Sequence, residues 1–276
     1  MGGMDAGVNG TGGSDAGMGG TGGTMEDDNR PPCLKNATQV IVLGDSYVYW
    51  PSHTFPSDLA QAAGNGAVGV WDNPYTLGGR LYAVGGYSMA SGGIGLIPPE
   101  LDTAIAADPD ITTIVMTGGG NDILIPDAAL AGSSNCKNST ADPPDAVCQQ
   151  IVQMAMDAAT SMMQKAGDND IKDVIYFFYP NIPENTSLGG THPNVLLDWA
   201  YPQVKQLCDD APMNTNGQVR CHFVDTRPIF KGHSDWFAAG DIHENSTGSK
   251  AIADAVVQVM KDNCIAQPES SGCCAP

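Results

Sequence analysis

Basic residues are scarce in this sequence. It contains 12 lysines and arginines against 31 aspartates and glutamates, which gives a formal net charge of −19. Because such a chain repels phosphate backbones and anionic lipid headgroups, we expect no nucleic-acid partner. The sequence also lacks the run of roughly 18 apolar residues that a transmembrane helix requires, so no membrane-spanning segment is predicted.

The eight cysteines lack the spacing of a metal site. No CxxC pair occurs, and no histidine stands where a zinc site with these cysteines would need it. Their even number instead predicts disulfides, and so a secreted, periplasmic or surface-tethered protein, with reduced, buried cysteines as the alternative. Short separations favour Cys136–Cys148 and Cys208–Cys221 as two local pairs, whereas the remaining connectivity stays open.

The first 32 residues contain little that a hydrophobic core needs. Residues 4–13, MDAGVNGTGG, are repeated almost unchanged as residues 14–23, SDAGMGGTGG. This glycine-rich repeat predicts a disordered tether over residues 1–32, which either holds a domain away from a surface or serves no role. Residues 33–276 suit one α/β domain with a full core, which we expect to be a monomer.

Short aliphatic runs alternate with helix-like segments from residue 33 onward. Such runs are typical of strands buried on both faces, and their alternation with helices predicts a three-layer α/β/α sandwich around a central, mainly parallel five-stranded sheet. The predicted strands are Val40–Leu43, Leu81–Val84, Ile111–Met116, Val174–Phe178 and Val219–Val224. The predicted helices cover residues 56–63, 98–107, 149–165, 194–208 and 249–262.

Four polar or glycine-rich clusters follow predicted strands or precede the last helix. They are GDS at residues 44–46, GG at 85–86, GGND at 119–122 and DIH at 241–243. A serine hydroxyl needs a neighbouring imidazole to take its proton, so Ser46 is a candidate nucleophile and His243 its candidate base. Acyl transfer also needs hydrogen-bond donors for an oxyanion, and glycine N–H groups and the Asn121 amide suit that task.

In order and approximate spacing, these clusters resemble the SGNH hydrolases, also called the GDSL esterase/lipase family, from about residue 39 to 260. The resemblance implies hydrolysis of a small-molecule or polymeric carboxylic ester without a cofactor. It also implies an oxyanion hole formed by the Ser46 N–H, the Gly86 N–H and the Asn121 side chain. The neighbouring Gly85 is the alternative to Gly86 as the glycine donor. An acyltransferase of the same fold and a non-catalytic surface carbohydrate-binding protein remain as alternatives.

The acid partner of His243 departs from the family pattern. The family usually places an aspartate three residues before its histidine, but Gly240 occupies that position and Asp241 lies only two residues before. Asp241 is the first candidate for the third triad member, in a compressed loop. Asp235 is the second candidate, and a backbone carbonyl is the third possibility.

Two other motifs imitate catalytic signatures. GYSMA at residues 86–90 resembles the GxSxG elbow of α/β-hydrolases and would make Ser88 the nucleophile, but that fold needs several strands ahead of the elbow. THPN at residues 191–194 contains His192, which no aspartate precedes at the family's distance. We therefore favour Ser46 over Ser88, place His192 in a loop, and expect Asp45 and Asp122 to brace their turns.

Overall fold

The computed structural model describes residues 31, 33–35, 39–49, 54–63, 81–183 and 193–274. The predicted tether therefore lies almost wholly outside the described residues, and so does His192. Within the described part of the chain, no helix combines the length and the apolar character that crossing a membrane requires.

Five parallel strands form the central sheet, in the spatial order Leu81–Ala83 (β2), Val40–Gly44 (β1), Thr113–Met116 (β5), Asp173–Phe177 (β6) and Arg220–Val224 (β7). Every pair of neighbours in this sheet is parallel. Each aliphatic run predicted as a strand overlaps one of the five, so the predicted sheet is confirmed. A separate parallel pair consists of β3 (Tyr87–Ser88) and β4 (Gly95–Leu96).

Helices cover both faces of the sheet. α2 (Thr54–Ala63) packs against α8 (Ser246–Asp262), whereas α5 (Ala146–Asp168) packs against α3 (Pro98–Ala107) and α6 (Pro193–Asn214). The chain runs from β1 to β2 in one direction along the sheet and from β2 to β5 in the other. Right-handed crossovers in opposite directions place their helices on opposite faces, so the α2–α8 pair and the helices α3, α5 and α6 form the two outer layers. All five predicted helices are present. The remaining short elements are α7 (Arg227–Phe230) and 3₁₀ turns at Ser133–Asn138, Ser234–Trp236 and Glu269–Ser271.

The strands are aliphatic because both of their faces are covered. Ile41, Leu43 and Val115 are each at most 1% exposed, as expected in a parallel sheet between two helical layers. On the side of α2, the ring of Phe55 packs 5.2 Å from that of Phe177, measured between centroids. This dense core holds the strand ends, and the polar clusters follow those ends.

The sheet order changes direction at β1. β2 lies on one side of β1, and β5, the next strand of the sheet along the chain, lies on the other. The crevice beyond the carboxyl ends of β1 and β5 is therefore a topological switch point, where open α/β sheets bind ligands. Two short helices begin there, α1 (Ser46–Tyr49) and α4 (Gly120–Leu124). Neither was predicted, because four or five residues are too few to show a helical periodicity.

All eight cysteines form disulfides, and the two predicted local pairs are confirmed. The four bonds are Cys33–Cys274, Cys136–Cys148, Cys208–Cys221 and Cys264–Cys273. The first joins residues 241 positions apart, and beside it the Leu34 N–H donates to the Gln267 carbonyl at 2.9 Å. The two ends of the domain are thus joined covalently.

Candidate active site

A cleft of about 510 Å³ opens at the switch point. Its lining includes every residue that the sequence analysis placed first in the site. These are Ser46, Gly85, Gly86, Asn121, Asp241 and His243. They come from four separate segments of the chain, so the fold is what brings them together.

Ser46 enters the cleft from a turn that Asp45 stabilises. The Asp45 carboxylate accepts a hydrogen bond from the Tyr47 N–H at 3.1 Å and another from the Tyr179 hydroxyl at 2.8 Å. Burial raises the pKa of Asp45 to about 7, although both hydrogen bonds act to lower it. Asp45 therefore braces the end of β1, as expected, and Ser46 follows as the first residue of α1.

His243 lies on a closed turn just before α8. The Asp241 N–H donates to the Ala238 carbonyl at 3.0 Å, and the Ala238 N–H donates to the His243 carbonyl at 2.8 Å. Gly240, at φ +72°, supplies the left-handed residue of this turn. The turn is tight enough that His243 Nδ1 lies 2.8 Å from Asp241 Oδ1, although only one residue separates the two.

The two acid candidates occupy different places. The Asp235 side chain is 79% exposed, and its carboxylate is 3.9 Å from Nδ1 of His233. Partial burial acts to raise the pKa of Asp241, but the neighbouring His243 ring and hydrogen bonds from the N–H groups of Ile242 and His243 outweigh it, so this pKa lies below its usual value. Asp241 is therefore ionised beside His243 at neutral pH.

The turn that carries His243 is anchored on both sides. On one side the buried Tyr47 hydroxyl donates to the Ile242 carbonyl at 2.6 Å. On the other, Asn245 caps α8, because its Oδ1 accepts from two first-turn N–H groups at 2.9 and 3.2 Å. Since Tyr47 directly follows Ser46, the candidate nucleophile and the candidate base share one rigid support.

Asn121 and Gly86, the two candidate oxyanion donors besides Ser46, line the same cleft as Ser46. Asn121 Nδ2 donates to the Tyr87 carbonyl at 2.8 Å, and a side-chain amide has a second N–H that can serve a ligand in the cleft. Gly86 has φ +83°, a conformation that favours glycine. Gly85 lines the same cleft, so both glycines remain near the site.

Asp122 connects α4 to the segment after β3. Its carboxylate accepts hydrogen bonds from the N–H groups of Met89, Ala90 and Ser91, at 2.8, 2.8 and 2.9 Å. Burial raises the pKa of Asp122 to about 6, against the effect of these bonds. Together with the bond from Asn121 to Tyr87, this link fixes the distance between the two candidate oxyanion donors.

Ser88, the alternative nucleophile, does not line the cleft. It is fully buried in β3, and its hydroxyl has no hydrogen-bond partner among the described residues. The structure thus separates Ser88 from His243 and leaves it with the role of a core residue.

Sequence reasoning missed Glu244. Its side chain is fully buried, and neither carboxyl oxygen has a hydrogen-bond partner within the described ranges. Burial, followed by the negative charges of Asp45 and Asp58, raises its pKa well above the usual value. The sequence did offer one signal for this burial. Successive residues of an extended segment face opposite sides, so a residue next to His243, which faces the cleft, is expected to face the core.

Comparisons with known proteins show the fold. No family model matches the sequence, and no curated protein is similar to it. Solved structures do match. A carbohydrate acetylesterase from Sinorhizobium meliloti is 12% identical with a TM-score of 0.51, and the match covers 81% of this chain and 98% of that one. A gut microbial diltiazem-metabolizing enzyme is 13% identical with a TM-score of 0.54, covering 83% of this chain and 47% of that one.

Proposed function

We propose that this chain, which has the fold of the SGNH hydrolases, is a serine hydrolase that cleaves carboxylic esters. One observation carries the proposal: a histidine paired with an aspartate at 2.8 Å lines the same cleft as a serine and an asparagine amide. The fold does not choose a function by itself. It does accommodate ester hydrolysis, as the name of the Sinorhizobium meliloti acetylesterase indicates.

Acylation begins when the Ser46 hydroxyl attacks the ester carbonyl. His243 takes the hydroxyl proton on Nε2, since its Nδ1–H donates to Asp241 and fixes that tautomer. The Ser46 N–H, the Gly86 N–H and the Asn121 amide stabilise the oxyanion of the tetrahedral intermediate. His243 then gives its proton to the leaving alkoxide, and the alcohol departs.

Deacylation repeats these steps with water as the nucleophile. His243 removes a proton from the water, which attacks the acyl carbonyl, and then returns a proton to Ser46 Oγ as the carboxylic acid leaves. The Asp241 carboxylate faces the imidazolium that forms in both halves, and its lowered pKa keeps it charged for this task. These reaction steps need only water and the residues of the cleft.

Labelling by a fluorophosphonate probe tests the proposal directly. The probe should modify the protein, and Ser46→Ala should abolish both labelling and hydrolysis of p-nitrophenyl esters with little change in thermal stability. Ser88→Ala is the matched control, and it should keep both signals. Labelling that survives in Ser46→Ala and disappears in Ser88→Ala would overturn the assignment. Product analysis with an added acceptor alcohol separates hydrolysis from acyl transfer.

The cysteines support an oxidising compartment as the place of action. All eight are paired in four disulfides, and such bonds persist in secreted, periplasmic or surface proteins. We therefore propose that the hydrolase acts outside the reducing cytoplasm. Intact-mass analysis after alkylation without a reductant should find no free thiol.

A further inference from the structure

We propose that an apolar strip leading out of the cleft binds the acyl group of the substrate, and that Ile94 and Leu96 on this strip favour acyl chains longer than acetyl. The inference rests on the ester hydrolysis proposed above and adds the chemistry of the substrate. The acyl strip is defined here by Leu124 and Ile125 inside the cleft and by Ile94 and Leu96 outside it.

The cleft leaves an apolar wall for the acyl group. In the tetrahedral intermediate the oxyanion faces Gly86 and Asn121, while the leaving oxygen must face His243 to receive its proton. The third substituent, the acyl chain, then meets what remains of the lining. None of the remaining residues carries a charge; they are Tyr49, Val84, Gly85, Leu124, Ile125 and, beside His243, Ile242.

Exposed large apolar side chains are concentrated beside this wall. Among the described residues, three large apolar side chains are exposed: Ile94 at 78%, Leu96 at 41% and Met213 at 72%. Single exposed apolar residues are ordinary on a protein surface. Ile94, however, directly precedes β4 and Leu96 ends it, so these two exposed side chains belong to one short segment.

Contacts connect the segment that carries Ile94 to the cleft. The Ile94 N–H donates to the Gly86 carbonyl at 3.0 Å. Three carbons of the Ile94 side chain lie 3.3 to 3.9 Å from where a Cβ on Gly86 would stand. On the other side, Gly92 packs so closely that a Cβ there would lie 2.1 Å from the Ile125 carbonyl oxygen. The loop carrying Ile94 and Leu96 therefore adjoins both the oxyanion side and the apolar wall.

An acetyl group is too short to use this surface. Its methyl group ends next to the carbonyl carbon, whereas a longer acyl chain extends toward the rim of the cleft. Each methylene that the strip removes from water is expected to raise kcat/KM by about fourfold. We therefore expect a preference for medium-length acyl groups over acetate.

The test compares p-nitrophenyl acetate, butanoate, hexanoate and octanoate. In the unaltered protein, kcat/KM should rise from acetate to hexanoate. The octanoate-to-acetate ratio of kcat/KM should fall about threefold in Ile94→Ser and about tenfold in the double variant with Leu96→Ser. Met213→Ser removes an equally exposed apolar side chain from α6 and should leave the ratio unchanged. Using the ratio cancels any general loss of active protein.

Three outcomes would overturn the inference. Acetate could be the best substrate, with kcat/KM falling steadily as the chain lengthens, in which case ester hydrolysis stands and the acyl strip does not. The ratio could change as much in Met213→Ser as in Ile94→Ser, which would assign the effect to general hydrophobicity. Absence of any Ser46-dependent hydrolysis and labelling would remove the proposed function and the inference with it.

Discussion

At the scale of single residues, the Asp241 carboxylate lies 2.8 Å from His243 Nδ1, so in the proposed mechanism Nε2 is the ring nitrogen that takes the Ser46 proton. A backbone carbonyl in its place would orient the ring but would bring no full negative charge to the imidazolium. Asp235 brings a charge but points into solvent beside His233. The two aspartates therefore differ in both geometry and environment, and that difference can be measured.

Asp241→Asn should lower kcat by about 10²–10⁴-fold, because an amide can hold the wrong tautomer of the ring and does not stabilise its charged form. Asp235→Asn should lower kcat by less than about tenfold. The measurement is steady-state hydrolysis of a p-nitrophenyl ester at neutral pH. The reverse ranking would assign the role to Asp235. If both aspartate variants keep kcat within about tenfold of the parent while His243→Ala is inactive, a Ser-His dyad is favoured.

The buried carboxyl group of Glu244, next to His243, makes the stability of the fold depend on pH. Because burial raises the pKa of Glu244, the folded protein holds this proton at pH values at which the unfolded chain has lost it. The resulting stabilisation is complete below the unfolded pKa, about 4.3, and is lost as the pH rises toward the folded value. Asp45, with a pKa raised to about 7, has the same sign between about pH 4 and 7.

Glu244→Gln should remove the Glu244 share of this pH dependence. The amide is isosteric and neutral, so the variant should gain free energy of unfolding relative to the parent by up to about 1.4 kcal/mol per pH unit above about pH 4.3. Urea unfolding at pH 5, 6 and 7 measures the difference. Two curves that stay parallel over this range would show that Glu244 does not hold its proton in the folded state.

At the scale of elements, the short helix α4 joins two halves of the candidate oxyanion hole. Asn121 and Asp122, consecutive residues of α4, bind the backbone of Tyr87 and of Met89–Ser91. The segment thus held begins one residue after Gly86. The two donors therefore keep their separation through backbone hydrogen bonds made by α4, independently of any bound substrate.

Asp122→Ala should lower the free energy of unfolding by about 2–4 kcal/mol, because three N–H groups lose the acceptor they share. Asp127→Ala is a matched control, since Asp127 accepts a backbone hydrogen bond from Ala129 at an exposed position and should cost less than about 1 kcal/mol. Thermal and urea unfolding provide the comparison. Equal effects of the two substitutions would contradict the bracing role of Asp122.

The long elements could be predicted from the sequence, whereas the short ones could not. Runs such as Val40–Leu43 are visible because a strand covered on both faces must be apolar at every position. α1, α4 and the β3–β4 pair depend on contacts from distant segments and show no period of their own. The site followed the long elements, since the GDS and GGND clusters stand at strand ends.

The spacing of the site residues marks the limit of that prediction. Asp241 lies two residues before His243, one fewer than the family spacing, so the sequence left Asp235 as an alternative. Whether Asp241 can reach the ring depends on a turn closed by Ala238 and Gly240, which the sequence does not reveal. Glu244 was missed for a related reason. The carboxylates near it, Asp45 and Asp58, come from distant segments of the chain, so the local sequence gives no sign of its surroundings.

At the scale of the whole molecule, the disulfides divide into near and far pairs. Three join residues 9 to 13 positions apart, and two of these could be predicted from their spacing. Cys33 and Cys274 are 241 positions apart, so no local pattern connects them. Their pairing follows only from the folded domain, in which the segment after residue 264 returns to meet Leu34.

The bond between Cys33 and Cys274 also determines how the domain carries mechanical load. A force applied through residues before 33 and after 274 passes through this covalent bond and does not reach the hydrogen bonds of the sheet. In a single-molecule pulling experiment the oxidised domain should add no contour length, whereas reductant should release about 850 Å of chain. The Cys33→Ser variant should extend even without reductant, because the load then reaches the hydrogen bonds of the sheet.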